Sequence, residues 1–146
     1  MRLRLAVVAL TTTSLLGCGS STLATPQLRS EATKLCQTGR KATNQIPTPG
    51  SASGAKAFLN RGISVLGPEL QGLRSLHPTG DVAPVYATAV GAFSHEVSAL
   101  GTAERQLAHG EDPIVTMKTL QAQLTPLQSQ EDGAWRALEI PACESH

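Results

Sequence analysis

Aromatic side chains are the scarcest component of this sequence. One Trp, one Tyr and two Phe make up 3% of its 146 residues, so any core must be aliphatic and light. Cysteine is scarce too. The three present form no Cys-x-x-Cys, which removes the dithiol redox motif and the Cys-x-x-Cys-His haem attachment. The apolar run from Leu5 to Leu16 covers 12 positions, against roughly 20 for a stable membrane-spanning helix, so a permanent transmembrane anchor is not expected. The four histidines, His77, His95, His109 and His146, fall in no Glu-x-x-His, His-x-x-x-His or His-Glu-x-x-His pattern. Neither Gly-x-Ser-x-Gly nor a glycine-rich phosphate loop occurs. No catalytic or metal-ligating constellation can be named, no cofactor is implied, and an enzyme is the least favoured class of function.

What is present begins with a leader. Arg2 and Arg4 form a basic start, Leu5 to Leu16 an apolar stretch diluted by Thr11, Thr12, Thr13 and Ser14, and small residues then flank Cys18, the layout of an export signal. Leu15-Leu16-Gly17-Cys18 resembles the lipobox of bacterial prolipoproteins. Leu15 stands at the aliphatic position, Gly17 at the small residue before the cut, and Cys18 at the modified cysteine; Leu16 is bulkier than the residue common at its place. The resemblance implies diacylglycerol on Cys18, cleavage after Gly17, and a protein held by lipid on the extracytoplasmic face of the cell membrane. The bland alternative is an ordinary signal cut further on, near Ala24.

On the lipoprotein reading, residues 1–17 form the removed signal, 18–26 a lipidated tether and 27–146 one domain. Taking Arg2 and Arg4 from the 12 Lys and Arg leaves 10 against 11 Asp and Glu. That balance argues against a nucleic-acid surface, and Arg40-Lys41 is the densest basic pair, so no polybasic membrane patch exists either. With Cys18 assigned to lipid, Cys36 and Cys143 remain as an even pair in an oxidising compartment, where a disulfide persists. Such a bond would close a loop of about 107 residues, worth on the order of 4–5 kcal/mol in the chain-entropy account. The alternative is a pair of free or redox-active thiols.

Four stretches carry apolar residues at helical spacing, with breaker clusters between them. The first runs from about Gln27 to Ile46 through Leu28, Ala32, Leu35, Gly39 and Ala42, and Pro47-Thr48-Pro49-Gly50 ends it. The second, from about Ser53 to Leu76, carries Phe58, Leu59, Gly62, Ile63, Leu66, Leu70 and Leu73. The third follows Asp81 as N-cap and runs to about His109 along Tyr86, Ala89, Phe93, Val97, Leu100, Ala103 and Leu107. Gly110 stops it. Asp112-Pro113 then opens the fourth, which carries Met117, Leu120, Leu124, Leu127, Ala134 and Leu138. The expected fold is all-α: an antiparallel up-and-down four-helix bundle, kinked or split at Pro68 and Pro126, closed by a disulfide. In an ideal bundle, however, Cys36 and Cys143 lie roughly 15–20 Å apart, against about 6 Å between bridged Cα atoms. Either the first helix starts later than Gln27, or Ile140-Pro141-Ala142 leads the tail back along the bundle.

Two residues stand out within the helices. Glu96 and Glu131 fall on or beside the apolar seams, and a buried carboxylate is costly unless paired, which makes each a functional candidate. A place at the helix boundary is the favoured reading, with Val97 taking the core position beside Glu96. The domain also resembles small helical lipoproteins and exported proteins of high-GC Gram-positive bacteria in its Ala/Gly/Thr-rich composition, its early helical cysteine and its closing Ala137-Leu138-Glu139-Ile140-Pro141-Ala142-Cys143. That resemblance implies a helical, disulfide-closed domain and supplies no activity. The leading expectation is a non-enzymatic module contacting an envelope protein. The second is a carrier or sensor of a small apolar ligand, with a pocket near the two prolines.

Overall fold

In the computed structural model, which describes residues 23–144, four α-helices follow one another: α1 Thr25–Thr43, α2 Ala55–Arg74, α3 Val82–Ala108 and α4 Pro113–Ala137. Cys18, the leader and His146 lie outside the described residues. Short 3₁₀ turns, Ala52–Gly54 and Pro141–Cys143, precede α2 and follow α4. Consecutive helices pack on one another, and α1 also packs on the C-terminal turn. The fold is the all-α, disulfide-closed bundle that the periodicity and the cysteine pair suggest.

Local chemistry sets the helix ends. Asp112 caps α4 with Oδ1, which accepts from the backbone N–H of Ile114 and of Val115, both at 2.9 Å, while Pro113 occupies the first turn, where a missing donor costs nothing. Asp81 holds the N-cap position of α3 without a side-chain cap bond. At the far end of α3, Gly110 takes φ 87°, and the N–H groups of Gly110 and Glu111 return to the carbonyls of Leu107 and Gln106. Neither internal proline splits its helix. Pro68 and Pro126 are both exposed, and the carbonyls they leave without a donor belong to Ser64 and Ala122, which are exposed as well, so water can reach them.

The apolar interior has two parts. The larger gathers Leu28, Ala32 and Cys36 of α1, Leu66, Leu70 and Leu73 of α2, Tyr86, Ala89, Val90 and Phe93 of α3, and Trp135, Leu138, Ile140 and Cys143. The smaller is built on Leu59, Ala103 and Leu120, with Phe58, Leu100, Met117 and Leu124 packed around it, and α1 contributes nothing to it. The helix lengths explain this division. At 19 residues α1 stops well short of the 27 of α3 and the 25 of α4, because Pro47 and Pro49 forbid its continuation.

The tail resolves the cysteine distance. α1 starts earlier than Gln27, so the first explanation fails and the second holds. Glu139 takes φ 58°, its N–H bonds to Arg136 O, and the N–H of Ile140 bonds to Trp135 O at 3.0 Å, a Schellman reversal with Glu where Gly is usual. Ile140 is then fully buried, and Cys143 reaches Cys36 with Cα atoms 5.1 Å apart. Arg40 clamps the returning strand by donating to the carbonyls of Ala142 and Glu144.

Gly39 explains another close approach. A Cβ added there would overlap the carboxylate of Glu69 on α2. In an unobstructed helix interior, Gly to Ala gains about 1 kcal/mol. Here Gly39→Ala is expected to destabilise by about 1–3 kcal/mol through overpacking. In a Glu69→Ala background the same change should stabilise by about 0.5–1 kcal/mol. Urea unfolding of the four-member cycle reads the reversal of sign, and equal effects in both backgrounds would refute it.

Candidate functional site

Where α1 stops, the α1–α2 connection covers a partly enclosed cavity of about 420 Å³ between the two cores. Thr43, Asn44, Ile46 and Thr48 form one wall. Phe58, Leu59, Gly62 and Leu66 of α2, Glu96 and Leu100 of α3, and Leu124 and Gln128 of α4 complete it. Neither Pro68 nor Pro126 lines it; Leu66, Leu124 and Gln128 each lie two residues along the chain from one of them. Its volume falls at the small end of ligand sites.

Glu96 in this wall is 5% exposed and Glu131 behind it 2%. The boundary position favoured from the sequence is therefore corrected: both carboxyls are inside, because the two helices turn them toward each other. Their side chains are hydrogen-bonded to one another, and Gln128 also bonds Glu96. Trp135, one helical turn beyond Glu131, donates Nε1–H to Glu131 Oε1 at 2.7 Å. Two adjacent buried carboxyls cannot both ionise. Burial pushes both above the usual carboxylate range, and neighbouring Asp132 pushes the same way. Glu131, pushed up to about 9, keeps its proton at neutral pH and donates it to Glu96. Glu96 Oε1 accepts no hydrogen bond from the described residues.

Glu69 and Trp135 are missing from the sequence-derived candidates. Glu69 is 5% exposed against Gly39 and Arg40, and burial pushes its carboxyl up to about 7, with the Arg40 charge pulling partly back. The folded state thus keeps a proton that the unfolded chain releases above about pH 4.5. Stability from this group is complete below that pH and is lost as pH rises through 7, with Glu96 and Glu131 adding to the loss in the same direction. Surface pairs such as Arg29 with Glu139 contribute little to oppose it. Denaturant unfolding at pH 4.5, 6 and 7.5 should show a decline of about 2–3 kcal/mol, reduced by Glu69→Gln. A rise over this range would contradict the assignment.

The histidines stand apart from the cavity: His77 in the α2–α3 turn, His95 exposed on α3, and His109 at its C-cap. Among the described residues no group of three or more His, Cys, Asp or Glu side chains is placed to hold a metal ion, and no helix is long and apolar enough to cross a membrane. No family model, no curated protein and no solved structure matches the chain.

Proposed function

We propose that this chain is a lipid-anchored, extracytoplasmic carrier or sensor that holds a small, largely apolar ligand in the cavity beside Glu96. The observation that carries this reading is the cavity itself, a hollow of mixed lining with apolar side chains from α2, α3 and α4, the polar groups of Thr43, Asn44, Thr48 and Gln128, and one buried carboxyl, set between two cores that share Leu100. The leader, with Cys18 after Leu15-Leu16-Gly17, supports attachment by lipid. A non-enzymatic role fits a sequence with neither Gly-x-Ser-x-Gly nor His-Glu-x-x-His.

Gly62 supplies the test. A Cβ added there meets nothing within 4 Å, so Gly62→Leu should fill the cavity without disturbing the backbone. Mass spectrometry of extracts should find an apolar compound on protein purified from its own envelope and none on the Gly62→Leu form. Equal ligand content in the two would sink the cavity reading. Labelled palmitate should enter the wild type and not Cys18→Ala.

A second reading, the envelope interaction module, is favoured by a different feature. Ile114 and Val115 at the start of α4 are 59% and 63% exposed, and Ile114 lines a groove with Pro49, Pro113 and Met117. Ile114→Asp together with Val115→Asp should abolish capture of any envelope partner; capture that survives the pair would dismiss this surface.

A further inference from the structure

The geometry points to a ligand class for the cavity: a small amphiphile with a hydrogen-bond-donating head, an alkylammonium above all, its head on Glu96 and its chain among Phe58, Leu59, Leu66 and Leu100. The assignment rests on the cavity being the ligand site. Glu96 is more than nine-tenths buried and forms part of the wall, yet Oε1 accepts no hydrogen bond from the described residues. Leaving a buried acceptor unmet is costly, and a ligand donor would meet it.

Charge decides which donor. The two partners of Glu96, the Gln128 amide and the Glu131 carboxyl, serve it as donors, so Glu96 is the acceptor end of the pair. Because Glu131 donates the proton between the two carboxyls, any negative charge of the pair sits on Glu96, and Asp132 adds its own field. The described residues lining the cavity include no Lys, Arg or His. A fatty acid would bring a third carboxyl to a site without a cation. An alcohol would satisfy Oε1 but not the charge, whereas an ammonium does both. Size limits the chain: at about 30 Å³ per water-sized group, 420 Å³ accommodates about 14 such groups, so a ten-carbon chain with one head atom fits.

The protein carries its own reporter. Trp135 is its single tryptophan, fully buried and bonded to Glu131, so a change of charge at Glu96 alters the hydrogen bond on the indole. The full chain with Cys18→Ser, which needs no detergent, is titrated with decylammonium, 1-decanol and decanoate at pH 7. Calorimetry gives the affinity and Trp135 emission the response. The expected result is decylammonium at least tenfold tighter than decanol, decanoate weaker than both, and a shift of Trp135 emission with the amine. Glu96→Gln should bring amine and alcohol within about threefold while keeping the alcohol bound, and Gly62→Leu should abolish all three. Because the head-group series is read with the cavity intact, it does not depend on a variant folding. Equal binding of the three, or tightest binding of decanoate, overturns the head-group assignment and leaves the cavity reading standing. No binding of any, or binding that survives Gly62→Leu, overturns both.

Discussion

Replacing Cys36 and Cys143 with alanine lowers the melting temperature by about 15–20 °C. The bond closes a loop of 107 residues, nearly the whole domain, and freeing that loop in the unfolded chain costs on the order of 4–5 kcal/mol. For a domain of this size each kcal/mol shifts the midpoint by roughly 3–5 °C. Against a typical total of about 5–15 kcal/mol, the loss is a large fraction. A core with four aromatic residues in the whole chain has little in reserve. The effect should exceed what the substituted atoms contribute, because the bond also holds the returning tail, with Ile140 and Cys143 fully buried against α1. Melting followed by circular dichroism, with and without reductant, checks this: reduced wild type should match the double alanine variant. A shift below about 3 °C would mean that Ile140 and the Arg40 clamp suffice.

Trp135→Ala is expected to cost about 3–5 kcal/mol, and Trp135→Phe about 1–3 kcal/mol. The indole is the largest fully buried side chain, and its ring meets Tyr86 edge-on with centroids 5.7 Å apart. Alanine leaves a void at the centre of the larger core. Phenylalanine fills most of that void but withdraws the donor from Glu131 Oε1, leaving a buried acceptor unmet. Tyr86, the ring that meets the indole, is itself held by its hydroxyl, which donates to Leu73 O at 2.7 Å. Urea unfolding of the two variants should rank them in this order; equal losses would mean that the hydrogen bond, not the volume, matters at this position.

Much of the architecture was legible because helices announce themselves locally. Apolar residues three and four apart, Asp112-Pro113 at a start and Gly110 at a stop each act through their own backbone, so one sequence suffices to place them. The tail was legible for a different reason. Distance left two ways to join Cys36 and Cys143, a later start of α1 or a reversal of the tail, and the structure takes the second, through Glu139.

The site was legible only in part, since it depends on which residues of separate helices lie level with each other. Glu96 and Glu131 could be placed beside their seams, but nothing along either helix says that they face one another. Trp135 stands outside the regular seam that Ala134 and Leu138 complete, so spacing alone does not mark it. The pairing that matters, Glu131 with the residue one turn on, becomes visible only once Glu131 is known to be inside. Glu69 is hidden more deeply: room for its carboxyl comes from the missing side chain of Gly39 on another helix. The cavity itself arises from a mismatch of helix lengths, which no single window of sequence contains.

The first described residues hold one more consequence. Leu23 donates its N–H to His77 O at 3.0 Å and forms a bridge with Pro78, which fixes the chain's entry point to the α2–α3 turn. Four residues lie between Cys18 and Leu23 in the sequence, so the two are at most about 18 Å apart. On a chain anchored through Cys18, the α2–α3 turn is therefore the foot of the molecule, close to the lipid headgroups. The 19 residues of α1 then rise about 28 Å to the cavity at its far end. On such an anchored chain the cavity would lie at the end of α1 remote from Cys18, so a ligand would reach it from the aqueous side.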